Sequence, residues 1–359
     1  MSCVHVHATV KLRPPRSTDE RPETTDLRLK WGAGGGEIAV GSRGTVQPYP
    51  SFNPHHDAEN LRNSMKGLGT NEDTIIDLLT SRANFQRQYI IQSFKSSYDQ
   101  SLIEELKSEL GGHFESVVEG LMLTPGKFDA KELNDAMAGP GTDEHILVEI
   151  LVSRTNRQLW ELAEAYQSDN AMSLKDALES ENSGEFENLL LALLKGKRDE
   201  GYNVDQSQVK VDAQELFAAG EDKWGTDETK FIKIFCRRNF THLRRVFEEY
   251  YQLTNKDIED SIKDEMSGTL QMGMLAIVQY VKNPAGFFAK KLYESMAGAG
   301  TDDRSLIRII ISRSEIDMMD IKIQFLRLYG KTLFSFIQDD VGGDFQKILL
   351  CLCGMNEDE

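Results

Sequence analysis

Met65-Lys66-Gly67-Leu68-Gly69-Thr70 decides the reading of this chain, because the stretch recurs. Its counterparts are Met137-Ala138-Gly139-Pro140-Gly141-Thr142, Gly220-Glu221-Asp222-Lys223-Trp224-Gly225-Thr226 and Met296-Ala297-Gly298-Ala299-Gly300-Thr301. Forty residues after the last glycine of each loop stands an acid: Glu109, Glu181, Glu265 and Asp340. Three residues beyond each acid come Gly112, Gly184, Gly268 and Gly343, while Arg82, Arg154, Arg238 and Arg313 lie thirteen residues after the loop glycines. Acid, glycine and arginine at fixed offsets in four places define an internal repeat, and a repeat sets the architecture before any single residue does.

The loops step by 72, 84 and 75 residues. The longer middle step calls for an added connector, and the polar, turn-rich stretch around 196–211 supplies it. The expected division is an N-terminal extension over 1–53, repeats over 54–126 and 127–198, a linker over 199–211, and repeats over 212–284 and 285–359. Within the first unit, apolar residues recur at helical spacing: Leu61 and Met65; Ile75, Leu78 and Leu79; Phe85, Tyr89 and Ile90; Leu102, Leu106 and Leu110; Phe114, Val117, Val118 and Leu121. That pattern predicts five short amphipathic helices per unit and no strand. A unit of about 70 residues is small for an independent core, so the four should stack and bury one another. The fold expected is all-α, four repeats of five helices.

Apolar runs reach no further than that of Leu189–Leu194, far short of the ~20 residues a spanning helix needs. Nothing near Met1 resembles a secretion signal, and Cys3, Cys236, Cys351 and Cys353 are too few for a disulfide framework. A cytoplasmic protein is expected. The net charge is −17, and residues 1–53 hold seven basic and five acidic side chains, so the repeats carry about −19. Such a surface repels nucleic acid and anionic lipid alike, because no basic stripe neutralises phosphates. A phosphate-bearing partner would have to be met through a divalent cation.

The loops offer a place for one. A helix ending at Met65 leaves its last carbonyls unpartnered and pointing into the loop. Gly67 and Gly69 can take positive φ and turn further carbonyls the same way. A distal carboxylate adds charge and two oxygens. Ca²⁺ accepts ~6–8 oxygens in tolerant geometry and would keep positions open for water or a lipid phosphate, whereas Mg²⁺ demands a rigid octahedron. One such loop alone needs no more than capping to explain it. Thr70, Thr142, Thr226 and Thr301 read as N-caps, with acids following at Glu72, Asp143, Asp227 and Asp302. Fourfold repetition with a distant acid asks for the further explanation.

These loops and acids resemble the annexin family. The family's Met-x-Gly-x-Gly-Thr, followed about forty residues on by an acid, matches at all four places, and Gly220-Glu221-Asp222-Lys223-Trp224-Gly225-Thr226-Asp227 is similar to its third-repeat variant. The likeness runs from about Arg43, where Arg43-Gly44-Thr45-Val46 resembles the start of several members, to Glu359. It implies a curved disc of four five-helix repeats and reversible, calcium-dependent binding to acidic phospholipids, phosphatidylserine above all. Several Ca²⁺ ions are implied, held by carbonyls of Met65, Gly67 and Gly69 with Glu109; Met137, Gly139 and Gly141 with Glu181; Gly220, Lys223 and Gly225 with Glu265; and Met296, Gly298 and Gly300 with Asp340. Thr70 and Glu72 would form an accessory site. Pro140 is unusual between the two glycines of its loop, yet proline removes an N–H and no carbonyl, so that site is expected to survive.

Leu68 and Trp224 stand at loop tips where a side chain would reach lipid, tryptophan being suited to the headgroup level. Packing of Trp224 into the helices is the alternative. Lys66 and Lys223 would touch phosphates or stay solvated. The repeated arginines are read as structural, closing the helix after each loop. Cys236 is expected to be a reduced core residue. Some relatives bridge this position within the repeat, but Tyr280 stands where the second cysteine would be, leaving Cys351 or Cys353 as the other possible partner.

No EF-hand, Walker loop or His-Glu-x-x-His motif is present, and no catalytic triad can be argued, so no enzyme is expected. His5, His7, His55 and His56 fit a polar stretch better than a metal site. A helical protein-interaction scaffold remains the alternative, though it leaves the four acids unexplained, and a calcium-dependent enzyme is the remoter one. Residues 1 to about 42 are rich in Pro, Gly and charge and expected to be disordered, though Val4, Val6, Ala8, Val10 and Leu12 alternate as a strand would. The family implies a protein partner for such a tail. A protein peripheral at membranes when calcium rises is the resulting expectation.

Overall fold

The computed structural model describes residues 43–66, 69–139, 141–221, 225–298 and 300–355. The expectations for residues 1–42, and those for Gly67, Leu68, Pro140, Lys223 and Trp224, lie outside the described residues.

Twenty helices and no strand occur among the described residues. The first repeat holds α1 (Pro54–Ser64), α2 (Glu72–Thr80), α3 (Asn84–Tyr98), α4 (Leu102–Glu109) and α5 (Gly112–Met122). The second holds α6 (Pro125–Met137), α7 (Glu144–Ser153), α8 (Asn156–Asp169), α9 (Leu174–Glu181) and α10 (Gly184–Leu194). The third holds α11 (Gln206–Ala219), α12 (Glu228–Arg237), α13 (Phe240–Thr254), α14 (Ile258–Glu265) and α15 (Gly268–Lys282). The fourth holds α16 (Pro284–Met296), α17 (Asp303–Arg313), α18 (Met318–Tyr329), α19 (Leu333–Asp340) and α20 (Gly343–Cys353).

The same capping chemistry starts equivalent helices. Asn53, Thr124, Asp205 and Asn283 cap the first helices, and Pro54, Pro125 and Pro284 follow three of these caps, where a missing N–H costs nothing. Ser101, Ser173, Asp257 and Thr332 cap the fourth helices. Gly112, Gly184, Gly268 and Gly343 open the fifth at φ 61°, 66°, 62° and 65°. A Cβ there would meet nothing within 4 Å, so the recurring glycine answers to backbone conformation and not to crowding.

One continuous apolar core runs through all four repeats. Repeat four packs on repeat one through α17 and α20 against α2 and α5, while repeat two packs on repeat three through α7 and α10 against α12 and α15. Between repeats two and four, Arg308 and Glu149 form a buried pair at 2.9 Å, with Lys291 3.3 Å from the same carboxylate group. The connector between repeats two and three is non-helical only to Asp205, shorter than the 199–211 expected, because Asp205 caps α11 through the Ser207 and Gln208 N–H groups. It is pinned in place: Arg198 Nη1 donates to the Phe235 and Arg238 carbonyls, and the Asn239 amide reaches Asp199 and Asn203.

Candidate metal-binding loops

Each loop joins the first and second helix of its repeat, and one backbone bond closes all four. Asn71, Asp143, Asp227 and Asp302 donate their N–H to the carbonyls of Ser64, Ala136, Ala219 and Ser295 at 2.7–2.9 Å. The residue after each acceptor is Met65, Met137, Gly220 or Met296. The three methionine side chains are buried in the core, anchoring the loop entrance from beneath. Gly69, Gly139, Gly141, Gly225 and Gly300 have φ between 81° and 102°, and Gly298 has 150°. These are conformations only glycine takes freely.

The threonines correct the capping expectation. The caps of the second helices are Asn71, Asp143, Asp227 and Asp302, whose side chains accept from the N–H groups of Thr74, Ile146, Lys230 and Ser305. Glu72 falls in the first turn of α2. Freed from capping, three of the threonines bind the distant acids. Thr70 Oγ1 donates to Glu109 Oε2 at 3.0 Å, Thr226 Oγ1 to Glu265 Oε2 at 2.9 Å, and Thr301 Oγ1 to Asp340 Oδ2 at 2.7 Å. A Cβ on Gly220 would touch the Glu265 side chain at 3.6 Å, which places that carboxylate over the third loop's entrance. Thr142 makes no such bond to Glu181 among the described contacts; both stand at the same positions of the second repeat, Glu181 exposed at the end of α9.

Among the described residues no three His, Cys, Asp or Glu side chains gather as a metal-holding group. A cation at these loops would therefore rest on backbone oxygens and a single carboxylate, a neutral-rich oxygen set suited to a hard, coordinatively tolerant ion. Lys66 is exposed beside an open depression of about 640 Å³ that is lined by Gly69, Thr70, Glu72, Asp73 and Lys347. Lys347 of repeat four crosses it to reach Asp73 of repeat one at 2.9 Å.

The Annexin family model matches residues 56–121, 128–193, 211–277 and 287–352. The chain belongs to the annexin family. It is 51% identical over 320 residues to annexin A11 of Oryctolagus cuniculus, covering 89% of this chain and 64% of that protein, so it spans less than two thirds of that relative's length. The solved structure of annexin III superposes with a TM-score of 0.88 at 45% identity, over 90% of this chain and 100% of that one. A calcium-bound annexin (Sm)1 gives 0.81 at 32% identity, over 91% and 99%.

The repeated arginines are structural, as expected, but their partners were not foreseen. Arg82, Arg154 and Arg238 grip Asp57, Asp129 and Asp212 with two N–H groups each. The signal was in the sequence, since these aspartates precede their arginines by 25, 25 and 26 residues. Cys236 is a free buried thiol, its pKa pushed up to about 12 by burial, and it lines one cavity with Tyr280, whose hydroxyl donates to the Ser153 carbonyl. No helix among the described residues is long and apolar enough to cross a membrane.

Proposed function

We propose that the four loops bind Ca²⁺ and through it acidic phospholipid, phosphatidylserine above all, reversibly. Annexin membership supports calcium-dependent phospholipid binding in general, and the relative (Sm)1 is described as calcium-bound. The observation that carries the reading for this chain is the delivery of Glu109, Glu265 and Asp340 to their loops by the loop threonines. Each of those loops thus joins glycine-turned carbonyls to a carboxylate brought from forty residues away.

The ligand sets are the carbonyls of Met65, Gly67 and Gly69 with Glu109; Met137, Gly139 and Gly141 with Glu181; Gly220, Lys223 and Gly225 with Glu265; and Met296, Gly298 and Gly300 with Asp340. Thr70 and Glu72 are the accessory pair. Ca²⁺ so held supplies positive charge and open positions for phosphate oxygens. The chain's own residues fix the rest. Its net charge of −17 makes direct contact with anionic lipid unfavourable, so attachment depends on the cation and reverses when it leaves. Leu68, Trp224 and Lys66 meet the headgroup region. The protein works without catalysis as a cytoplasmic, membrane-peripheral adaptor, and the N-terminal extension takes a protein partner.

Co-sedimentation with phosphatidylserine vesicles tests this, in calcium and then in chelator. Glu109→Gln alone weakens one site and leaves attachment through Glu181, Glu265 and Asp340, because several sites on one body add avidity. Neutralising all four acids leaves the helical circular dichroism intact and abolishes sedimentation. A folded quadruple variant that still bound in calcium and released in chelator would overturn the assignment.

A further inference from the structure

Loop three differs from the others in two ways. Its closing bond spans eight residues, from Ala219 to Asp227, where the other three span seven. It is also tied to the helix that carries its acid. Glu221, the residue after Gly220, lies 2.6 Å from the Lys256 ammonium, and Asp264, the residue before Glu265, lies 2.7 Å from the same nitrogen. Lys256 stands immediately before Asp257, the cap of α14. One side chain therefore joins the loop's entrance to both ends of α14.

Among the described residues no other loop has this tie. The positions of Lys256 and Asp264 are Gln100 and Ser108 in repeat one, and Met172 and Ser180 in repeat two. Repeat four keeps half of it: Lys331 pairs with Asp339, but Ala297 stands where Glu221 would be. The longer loop is the one with more backbone freedom to lose on ordering. A lysine with three donors on a flexible stem suits a double link of this kind.

We propose that Lys256 is a positioning residue: by pinning Glu221 and Asp264 it holds loop three against the helix bearing Glu265 and makes the third site the pre-organised one of the four. This rests on the calcium reading above, and it carries a sign that separates it from simple electrostatics. If Lys256 acted only through its field, removing the cation would tighten calcium binding and removing Glu221 would weaken it. A clamp requires both changes to act in the same direction.

The test uses the full chain in a background of Glu109→Gln, Glu181→Gln and Asp340→Asn, which leaves the third site alone. Lys256→Gln, Glu221→Gln, the double variant and Lys256→Arg are compared. Without metal, hydrogen exchange in the 220–226 peptide should rise in both single variants and return towards the parent in Lys256→Arg. With calcium alone as the probe, both singles should weaken binding about two- to fivefold, the range of a partly exposed ion pair, and the double should be no worse than either. Unchanged exchange in the metal-free protein overturns the clamp whether or not the loops bind calcium. Opposite calcium shifts in the two singles overturn it in favour of a field effect. Absence of calcium binding in the background itself would count against the four-site reading, and the metal-free exchange would still decide the clamp.

Discussion

Repeats one to three and repeat four solve the same local problem with different chemistry. Eight residues before the loop entrances Met65, Met137 and Gly220 stand Asp57, Asp129 and Asp212, each gripping the arginine beyond the second helix. Eight residues before Met296 stands Phe288. Arg313 lies 4.5 Å from the centre of that ring and donates its two hydrogen bonds to Asp317 instead, at 2.8 and 2.7 Å. The position demands a satisfied guanidinium, not a particular partner. The turn after this arginine differs as well. Helices α3, α8 and α13 begin two residues after their arginines, whereas α18 begins five after Arg313. The opened turn accepts the segment 43–46: Val46 N–H donates to the Ser314 carbonyl and Met319 N–H to the Arg43 carbonyl, both at 3.0 Å. Repeat four lacks the aspartate, and its opened turn docks the segment that precedes repeat one.

The largest expected effect probes that contrast. The side chains of Asp129 and Arg154 are 6% and 5% exposed, so Asp129→Ala leaves a buried cation without its partner and should cost about 3–5 kcal/mol. Asp317→Ala leaves Arg313, itself only 6% exposed, on the Phe288 ring, and Asp317 is 19% exposed, so a smaller loss of about 1–3 kcal/mol is expected. Urea unfolding of the two variants measures the gap. Equal losses would mean that the ring is no substitute for a carboxylate.

Next in size is the dock itself. A Cβ on Gly44 would lie 2.7 Å from the Glu315 Cα, a backbone atom that cannot yield as a flexible side chain would. Gly44→Ala should therefore lift residues 43–46 from the opened turn and cost about 1–3 kcal/mol, as overpacking does. Faster exchange at the Val46 and Met319 amides should accompany the loss. A variant with parental stability and exchange would show that the segment merely lies on repeat four.

Much of this was legible without coordinates. Offsets of thirteen, forty and forty-three residues carried the four repeats, the loops and the acids, because a repeat fixes spacing whatever the side chain does. Helical periodicity carried the five helices of each repeat. What stayed hidden was assignment among equivalent polar neighbours. Thr70 and Asn71 are both good caps, and only the structure shows that Asn71 takes that role while Thr70 turns to Glu109. Phe288 looks like one more core residue until Arg313 is seen against it. Lys256 carries no motif, and its link to Glu221 spans 35 residues.

The smallest effect contrasts an acid of repeat three with one of repeat four by pH. Burial disfavours the Asp212 carboxylate, but hydrogen bonds from Arg238, Gln208 and His242 together hold its pKa below the ordinary value. Its folded pKa lies under the unfolded ~3.9, so its contribution is present above about pH 4 and lost as pH falls through the folded value. Glu315 runs the other way. Burial raises its pKa despite Arg87 at 2.8 Å and the Asn84 N–H. The unfolded chain then releases that proton first, and stability declines as pH climbs above about 4.3 towards the folded value. Unfolding free energies measured between about pH 3 and 6 should thus lose part of their acid-side slope in Asp212→Asn and part of their opposing slope in Glu315→Gln. If Asp212→Asn left the acid limb as steep as in the parent, the paired aspartate of repeat three would not be a source of acid sensitivity, and the contrast with repeat four would reduce to geometry alone.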